Sequence, residues 1–118
     1  MRAALSTINL EVADPQRSKR FYIEALGMTE SVGRSHAPNF IYLESPGASV
    51  TLAAPREGAA AEPSRTMELG FETDDLQALQ ARLAECGANG FQPQSMGWGE
   101  ALEGRDFDGH RVIVYRLR

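Results

Sequence analysis

The sequence predicts an α+β fold of two tandem βαβββ modules, whose strands form a curved mixed sheet around a cleft and whose helices lie on the outer face. The first observation is that residues 8–27 contain an alternating strand, an Asp-capped helix and a terminating glycine. The second is that residues 69–87 repeat this pattern about 60 positions later, and a chain of 118 residues has room for two copies only. We therefore expect one domain, residues 1–118, with a binding site where its halves meet. The predicted division is module 1 at about 1–54, a linker at 55–65 and module 2 at about 66–118.

Composition narrows the possible partners. The chain is 42% hydrophobic and 24% charged, as is typical of one soluble domain. A net charge of −4 gives no cationic surface for a phosphate backbone, so we expect no nucleic acid partner. Because the sequence has neither a long apolar run nor a secretory pattern at its start, we expect a cytoplasmic protein without membrane contact. The single cysteine, Cys86, is expected to be a buried filler.

The first half begins with a strand at about 5–12, in which apolar and polar residues alternate. Asp14 followed by Pro15 predicts a helix start, because the carboxylate can accept free backbone N–H groups and proline has none to leave unpaired. This helix should continue to about Leu26 and end at Gly27. Three further strands are predicted at about 28–32, 40–44 and 49–53.

The second half follows the predicted linker, in which two prolines and a glycine interrupt the pattern. Its first strand places Met67, Leu69 and Phe71 on the core side. Asp74 is the predicted helix cap, with Gln77 completing a capping box, and Gly87 should end that helix. Strands are predicted at about 90–96, 100–105 and 110–117, with Asp108-Gly109 as the hairpin signal between the last two.

The alternation also predicts a ligand-binding face. Apolar side chains face the helices, whereas aromatic, hydroxyl and charged side chains collect on the other side of the sheets, a mixture suited to a small organic molecule. The candidate binding residues are Thr7, Asn9, Phe40, Tyr42, Thr51, Glu68, Trp98, Arg111 and Ile113.

Several of these candidates have two interpretations. Trp98, between two glycines, either stacks on a planar ligand or fills a module or dimer interface. Phe40 and Tyr42 either support that stacking or pack against the other module. Glu68 is either a general base or the ion-pair partner of Arg111. A cationic ligand would be favoured if several neighbouring acids converge, namely Glu11, Glu44, Glu72, Glu100 and Glu103.

Three segments resemble a known family. The first segment comprises residues 8–15 together with Phe21-Tyr22 and Leu26-Gly27. The second is residues 69–76, and the third is the closing segment 106–112. In this order and spacing they resemble the vicinal oxygen chelate superfamily, which includes glyoxalase I, bleomycin-resistance proteins, fosfomycin-resistance enzymes and extradiol dioxygenases. The resemblance implies paired modules forming a U-shaped cleft, usually completed by a second chain in a homodimer.

The resemblance also implies four metal-ligand positions, which fall on Thr7, Thr51, Glu68 and Ile113. Only Glu68 is a plausible ligand, whereas a transition metal needs three or four converging donors. The closing segment departs from the family pattern as well, since the usual proline and asparagine are replaced by Phe107 and His110. We therefore expect no metal and no cofactor. Neither His36 nor His110 belongs to a His-x-His or His-x-x-x-His pair of the kind that binds metals, and whether either rebuilds a metal site is left open.

Three functions remain in competition. The first is metal-independent binding of a planar or cationic drug or metabolite in the cleft of a homodimer, as in bleomycin-resistance proteins. The second is a lyase, isomerase or dioxygenase relative that uses Glu68 as general base or an unconventional metal site. The third is an accessory module whose cleft is filled by its own side chains and which only dimerises. The sequence favours the first.

Overall fold

The computed structural model describes residues 1–56 and 58–118, so Glu57 of the predicted linker lies outside the described residues. The strands are β1 Thr7–Glu11, β2 Thr29–Glu30, β3 Phe40–Glu44, β4 Ser49–Ala53, β5 Glu68–Glu72, β6 Gln92–Met96, β7 Gly99–Arg105 and β8 Arg111–Leu117. They form two four-stranded mixed sheets of identical topology, ordered β1-β4-β3-β2 and β5-β8-β7-β6. β1 is parallel to β4 and β5 is parallel to β8, whereas the other neighbours are antiparallel. This arrangement confirms the two tandem βαβββ modules.

The first helix, α1, spans Pro15–Arg20 and continues as a π-helical turn over Phe21–Ala25. The Asp14 carboxylate accepts a hydrogen bond from the Gln16 N–H at 3.0 Å, as predicted for the cap. Gly27 follows with a φ of 76°, a left-handed conformation that glycine adopts without a Cβ clash. A short 3₁₀ turn over Val32–Arg34 precedes β3.

The second helix, α2, spans Leu76–Glu85, and its predicted cap was wrong by one residue. Asp75, not Asp74, accepts the hydrogen bond from the Ala78 N–H at 3.0 Å. This shift places Ala78 at the third helical position, so Gln77 cannot complete a capping box. Neither α1 nor α2 has the length and apolar character to cross a membrane, and the same holds for every helix in the described part of the chain.

Both helices pack on the same side of the sheets, and one continuous apolar core joins the two modules. Phe21 of the first module stacks on Phe91 of the second at a centroid distance of 6.0 Å. Cys86 is buried, as expected, and its thiol contacts the Leu83 carbonyl oxygen. The prediction that Met67 lies in the core was wrong. The strand β5 begins one residue later, at Glu68, and Met67 is 61% exposed.

The turn between β7 and β8 is longer than the Asp108-Gly109 signal predicted. It spans Asp106–His110 and is closed by a hydrogen bond from the Asp106 N–H to the His110 carbonyl oxygen at 2.9 Å. Gly109 adopts a left-handed conformation in this turn, with a φ of 93°. We call it the C-terminal turn. Its carboxylates reach the first helix: Asp106 accepts a hydrogen bond from the Tyr22 hydroxyl at 2.5 Å, and Asp108 accepts one from the Ser18 hydroxyl. The second module is therefore fastened to the first through this turn.

Candidate functional site

The predicted binding residues lie on the side of the two sheets away from the helices, which we call the helix-free face. Register assigns them to cross-strand pairs. Asn9 on β1 lies beside Thr51 on β4, and Glu68 on β5 lies beside Arg111 on β8. The edge strands β1 and β5 face one another, since residues of both line the same crevice of about 210 Å³.

In the first module, the side chains at this face satisfy one another. The Thr51 hydroxyl donates a hydrogen bond to the Asn9 side-chain oxygen at 2.7 Å, and Thr51 is only 4% exposed. Thr7 lies opposite Ser49 at the start of the two strands. The polar groups of Thr51 and Asn9 therefore bond to each other at this half of the face.

In the second module, the face is built around an ion pair. The Arg111 guanidinium lies 3.3 Å from the Glu68 carboxylate and also donates to the Arg65 carbonyl oxygen at 3.2 Å. The pairing that the sequence left open is thus present. Ile113 lies opposite Gly70, and the side chains of Ile113 and Tyr115 flank the open position at Gly70.

The three candidate stacking residues differ in how open they are. Trp98 sits in the turn between β6 and β7, is 45% exposed, and meets Tyr115 edge to face at 5.4 Å. The ring of Tyr42 is covered by the Arg34 guanidinium at 5.1 Å, which also donates to the Tyr42 hydroxyl. Trp98 is therefore the aromatic group most accessible to a planar molecule.

Phe40 has a neighbour of its own, since the His36 ring lies 6.2 Å away and the two residues form an isolated β-bridge. The acids do not form a single anionic surface either. The Glu11 carboxylate accepts a hydrogen bond from the Ala61 N–H at 2.6 Å. Glu100 lies 3.7 Å from Arg118, and alternation along β7 places it on the other side of the sheet from Glu103.

Pockets at the helix-free face gather only some of the candidates. The crevice between β1 and β5 includes Asn9 and Arg111. A groove of about 370 Å³ includes Glu68, Glu103 and Arg111. The other six candidates line none of the five main pockets of the described chain, namely Thr7, Phe40, Tyr42, Thr51, Trp98 and Ile113.

The residues at the four metal-ligand positions do not fit a metal. The Thr51 hydroxyl is bonded to Asn9, the Glu68 carboxylate is paired with Arg111, and Ile113 offers only hydrocarbon. Among residues 1–56 and 58–118, no three His, Cys, Asp or Glu side chains converge on one point. His36 contacts Phe40, and a ring nitrogen of His110 lies 3.1 Å from the Glu11 carbonyl oxygen. A transition-metal centre needs more donors than this face supplies.

Two further side chains at this face, Arg34 and Tyr115, were not among the predicted site residues. Arg34 lies in a loop with no periodic pattern, so nothing in the sequence placed it over Tyr42. Tyr115 carried a signal, because alternation along β8 assigns it to the same face as Arg111. Its contact with Trp98 depends on the turn between β6 and β7, which alternation does not describe.

Comparison with solved structures supports the architecture. A glyoxylase/bleomycin resistance protein/dioxygenase domain from Frankia sp. EAN1pec is 29% identical, with a TM-score of 0.80, covering 100% of this chain and 93% of its own. Fosfomycin resistance protein FosX from Mesorhizobium loti is 19% identical, with a TM-score of 0.78, over 100% of this chain and 95% of its own. TioX from Micromonospora sp. ML1 is 18% identical, with a TM-score of 0.75, over 98% and 100%. At these low identities, the similarity to FosX and TioX shows a shared fold and nothing more.

No curated protein sequence matches the chain. The family model of the Glyoxalase/Bleomycin resistance protein/Dioxygenase superfamily, however, matches residues 4–114. This range includes most of both modules and every residue of the predicted site. The resemblance noted in the sequence is thereby confirmed, and the chain belongs to the glyoxalase/bleomycin resistance protein/dioxygenase superfamily.

Proposed function

We propose that this protein binds a planar small organic molecule, a drug or a metabolite, on its helix-free face without using a metal ion. The observation that carries the proposal is the chemistry at the four ligand positions. Two hydroxyls, one hydrocarbon and one carboxylate already paired with Arg111 are poor metal donors but adequate contacts for an organic ligand. Binding and sequestration of a small molecule need such contacts and no metal ion.

The nature of the ligand is inferred from Trp98. Its indole is nearly half exposed, and Tyr115 stands at 84° to it, so part of the indole surface is open to a planar molecule. The groove that Glu68 and Glu103 line is also lined by Arg105 and Arg111, so it favours neither sign of charge on the ligand. A molecule with a planar aromatic ring is therefore the first class to test, whatever its charge.

A titration with proflavine, a planar aromatic cation, tests this proposal directly. Trp98 is the only tryptophan of the chain, so quenching of protein fluorescence reports on this position alone. We expect saturable quenching, and we expect calorimetric affinity to fall about tenfold in Trp98→Ala, since base-like stacking on an aromatic side chain contributes about 1–3 kcal/mol. Val32→Ala, which truncates an exposed apolar residue of the other module, is the matched control and should leave affinity unchanged. Absence of saturable binding across planar cations, anions and neutral molecules would refute the proposal.

The competing proposal is an enzyme, a lyase, isomerase or dioxygenase relative in which Glu68 is the general base. Its carboxylate would have to leave or share the contact with Arg111 to accept a substrate proton. If turnover of a candidate substrate is found, Glu68→Gln should abolish it while leaving binding within about twofold. About one Zn, Ni, Mn or Fe per chain after dialysis would instead favour an unconventional metal site over metal-independent binding.

We also propose that the protein is a homodimer. Trp98 and Leu117 are exposed apolar side chains at one end of the second module, with 45% and 51% of their surface accessible. Their burial against a second chain would complete the binding face, and Trp98 would then contact both ligand and partner. Sedimentation equilibrium should give twice the monomer mass, and Leu117→Glu should shift the equilibrium towards the monomer.

A further inference from the structure

The two modules meet along β1 and β5, and the two ends of this junction differ. Ile8 and Leu69 occupy equivalent positions at its centre, as the first core-facing residues of β1 and β5. At one end, the C-terminal turn packs against the start of α1. At the other end, the turn Ser45–Ala48 of the first module faces α2 across a pocket of about 460 Å³, which we call the seam pocket.

The seam pocket exists because the second end lacks the bonds that close the first. Ser18 on α1, which donates to Asp108, corresponds to Leu79 on α2, which has no polar group to offer. The turn Ser45–Ala48 has no acidic residue and is one residue shorter than the C-terminal turn. This turn therefore cannot form hydrogen bonds to α2 like those between the C-terminal turn and α1, and the space between the turn and α2 remains open.

The lining of the seam pocket is mainly apolar, and it shares Tyr115, the neighbour of Trp98, with the helix-free face. None of the nine candidate binding residues and none of the four metal-ligand positions lines it. Its apolar walls are supplied by both modules. They are formed by Leu26, Met28, Val50, Leu69, Phe71 and Leu79. A pocket of this size and character accommodates the apolar body of a small organic ligand.

Two charged side chains border this apolar space. Arg82 lies on α2 one turn after Leu79, and Glu72 lies at the end of β5. In the described part of the chain, neither takes part in an ion pair. Glu72 disfavours an anionic group at the strand side of the pocket, whereas Arg82 attracts one at the helix side. An acidic ligand group is therefore expected beside α2.

We propose that the seam pocket is a second binding site, and that its ligand is a monoanionic amphipathic molecule such as a medium-chain carboxylate. The hydrocarbon body lies between the modules against Leu69 and Leu79, and the carboxylate pairs with Arg82. The ligand contacts both halves and so supplies, between the turn Ser45–Ala48 and α2, the link that hydrogen bonds of the C-terminal turn supply at the other end of the junction. This proposal does not rest on the proposed ligand of the helix-free face, because none of the nine candidate residues there lines the seam pocket.

Isothermal titration with sodium octanoate, below its micellar concentration, tests the proposal, and 1-octanol serves as the uncharged probe. We expect one saturable site per chain for octanoate and at least threefold weaker binding of octanol. Arg82→Gln should weaken octanoate binding by about threefold to tenfold and leave octanol unaffected. Glu72→Gln should strengthen octanoate binding by about twofold. Arg116→Gln, which changes an exposed arginine on β8 outside the pocket, is the matched control.

A second variant tests the location. Ala48→Trp introduces a bulky side chain at the wall of the seam pocket and should abolish binding of both probes, while an unchanged melting temperature shows that the chain is folded. Trp98→Ala should leave octanoate binding unchanged and reduce only proflavine binding, so the two proposals fail separately.

Three results would overturn the inference. The first is the absence of saturable octanoate binding. The second is octanoate binding that survives Ala48→Trp or is lost in Trp98→Ala, which would place the ligand elsewhere. The third is equal affinity for octanol and octanoate with no effect of Arg82→Gln, which would contradict the anionic class of ligand.

Discussion

The two modules have the same strand order and register, yet only the second contributes a turn that fastens the two together. Its Asp106 and Asp108 accept hydrogen bonds from the first helix, whereas the equivalent turn Ser45–Ala48 makes hydrogen bonds within itself. This difference shows that a duplicated unit can keep its strand order and register in both copies, while the polar contacts from turn to helix across the junction are present in one direction only. One end of the junction is closed by polar groups, and the other is left with a pocket.

The largest expected effect comes from removing the carboxylate that closes the junction. Asp106 is 6% exposed and accepts hydrogen bonds from the Tyr22 hydroxyl and from the backbone N–H groups of Asp108 and His110. Asp106→Ala leaves these donors unpaired and should lower the free energy of unfolding by about 3 kcal/mol, measured by urea denaturation.

The matched variant is Ser45→Ala, at the equivalent position of the first module. The Ser45 hydroxyl bonds only to Gly47 and Ala48 of its own turn, so the loss should be below about 1 kcal/mol. Equal losses for Asp106→Ala and Ser45→Ala would show that the two turns contribute alike and would contradict the comparison.

A second difference concerns the strand before each turn. Gly104 on β7 corresponds by register to Leu43 on β3, because each lies opposite the valine that precedes the ligand-position residue. A Cβ at Gly104 would lie 2.6 Å from the ring of Phe91, which is itself packed against Phe21. Gly104→Ala should therefore cost about 2 kcal/mol of stability through overpacking. A change below about 0.5 kcal/mol in thermal or urea unfolding would mean that the Phe91 ring moves aside freely.

The smallest effect has a pH signature. Burial, reinforced by the nearby Asp106 charge and hydrogen bond, raises the pKa of Tyr22 well above its usual value. Tyr22→Phe should cost about 1.5 kcal/mol at pH 7 through the lost hydrogen bond. Above about pH 10 the unfolded chain releases the Tyr22 proton while the folded chain keeps it, so wild-type stability falls as pH rises.

The stability gap between the wild type and Tyr22→Phe should consequently narrow above pH 10, by up to about 1.4 kcal/mol per pH unit. Urea denaturation of both proteins between pH 8 and pH 11 measures this gap, and the remaining tyrosines cancel in the difference. A gap that stays constant or widens over this range would contradict a raised pKa for Tyr22.

Most of the fold could be predicted because its signals are local and repeated. Alternation identified the strands Phe40–Glu44 and Ser49–Ala53 with their observed bounds, and Asp14, Gly27 and Gly87 marked helix ends as expected. Errors arose where two neighbouring residues could serve the same purpose. Asp74 and Asp75 are both competent caps, and only the position of the first helical turn selects Asp75.

The site was less predictable, because side-chain pairing depends on tertiary structure. Alternation placed Glu68 and Arg111 on one face, but it did not decide between an ion pair and a free base. It also did not show that Arg34 covers Tyr42, since that arginine comes from a loop. The carboxylates of the C-terminal turn were assigned only a turn role, because their hydrogen-bond partners are more than 80 residues away.

The π-helical turn over Phe21–Ala25 has a consequence for the ancestry of the two halves. Asp14 and Asp75, the helix caps, are 61 residues apart, whereas Gly27 and Gly87, the terminating glycines, are 60 apart. The first copy therefore contains one inserted residue between its cap and its glycine, and the wider helical turn absorbs it without displacing either end. Alignments of the two halves should open a single-residue gap in this segment, where the duplicated unit tolerates a change of length.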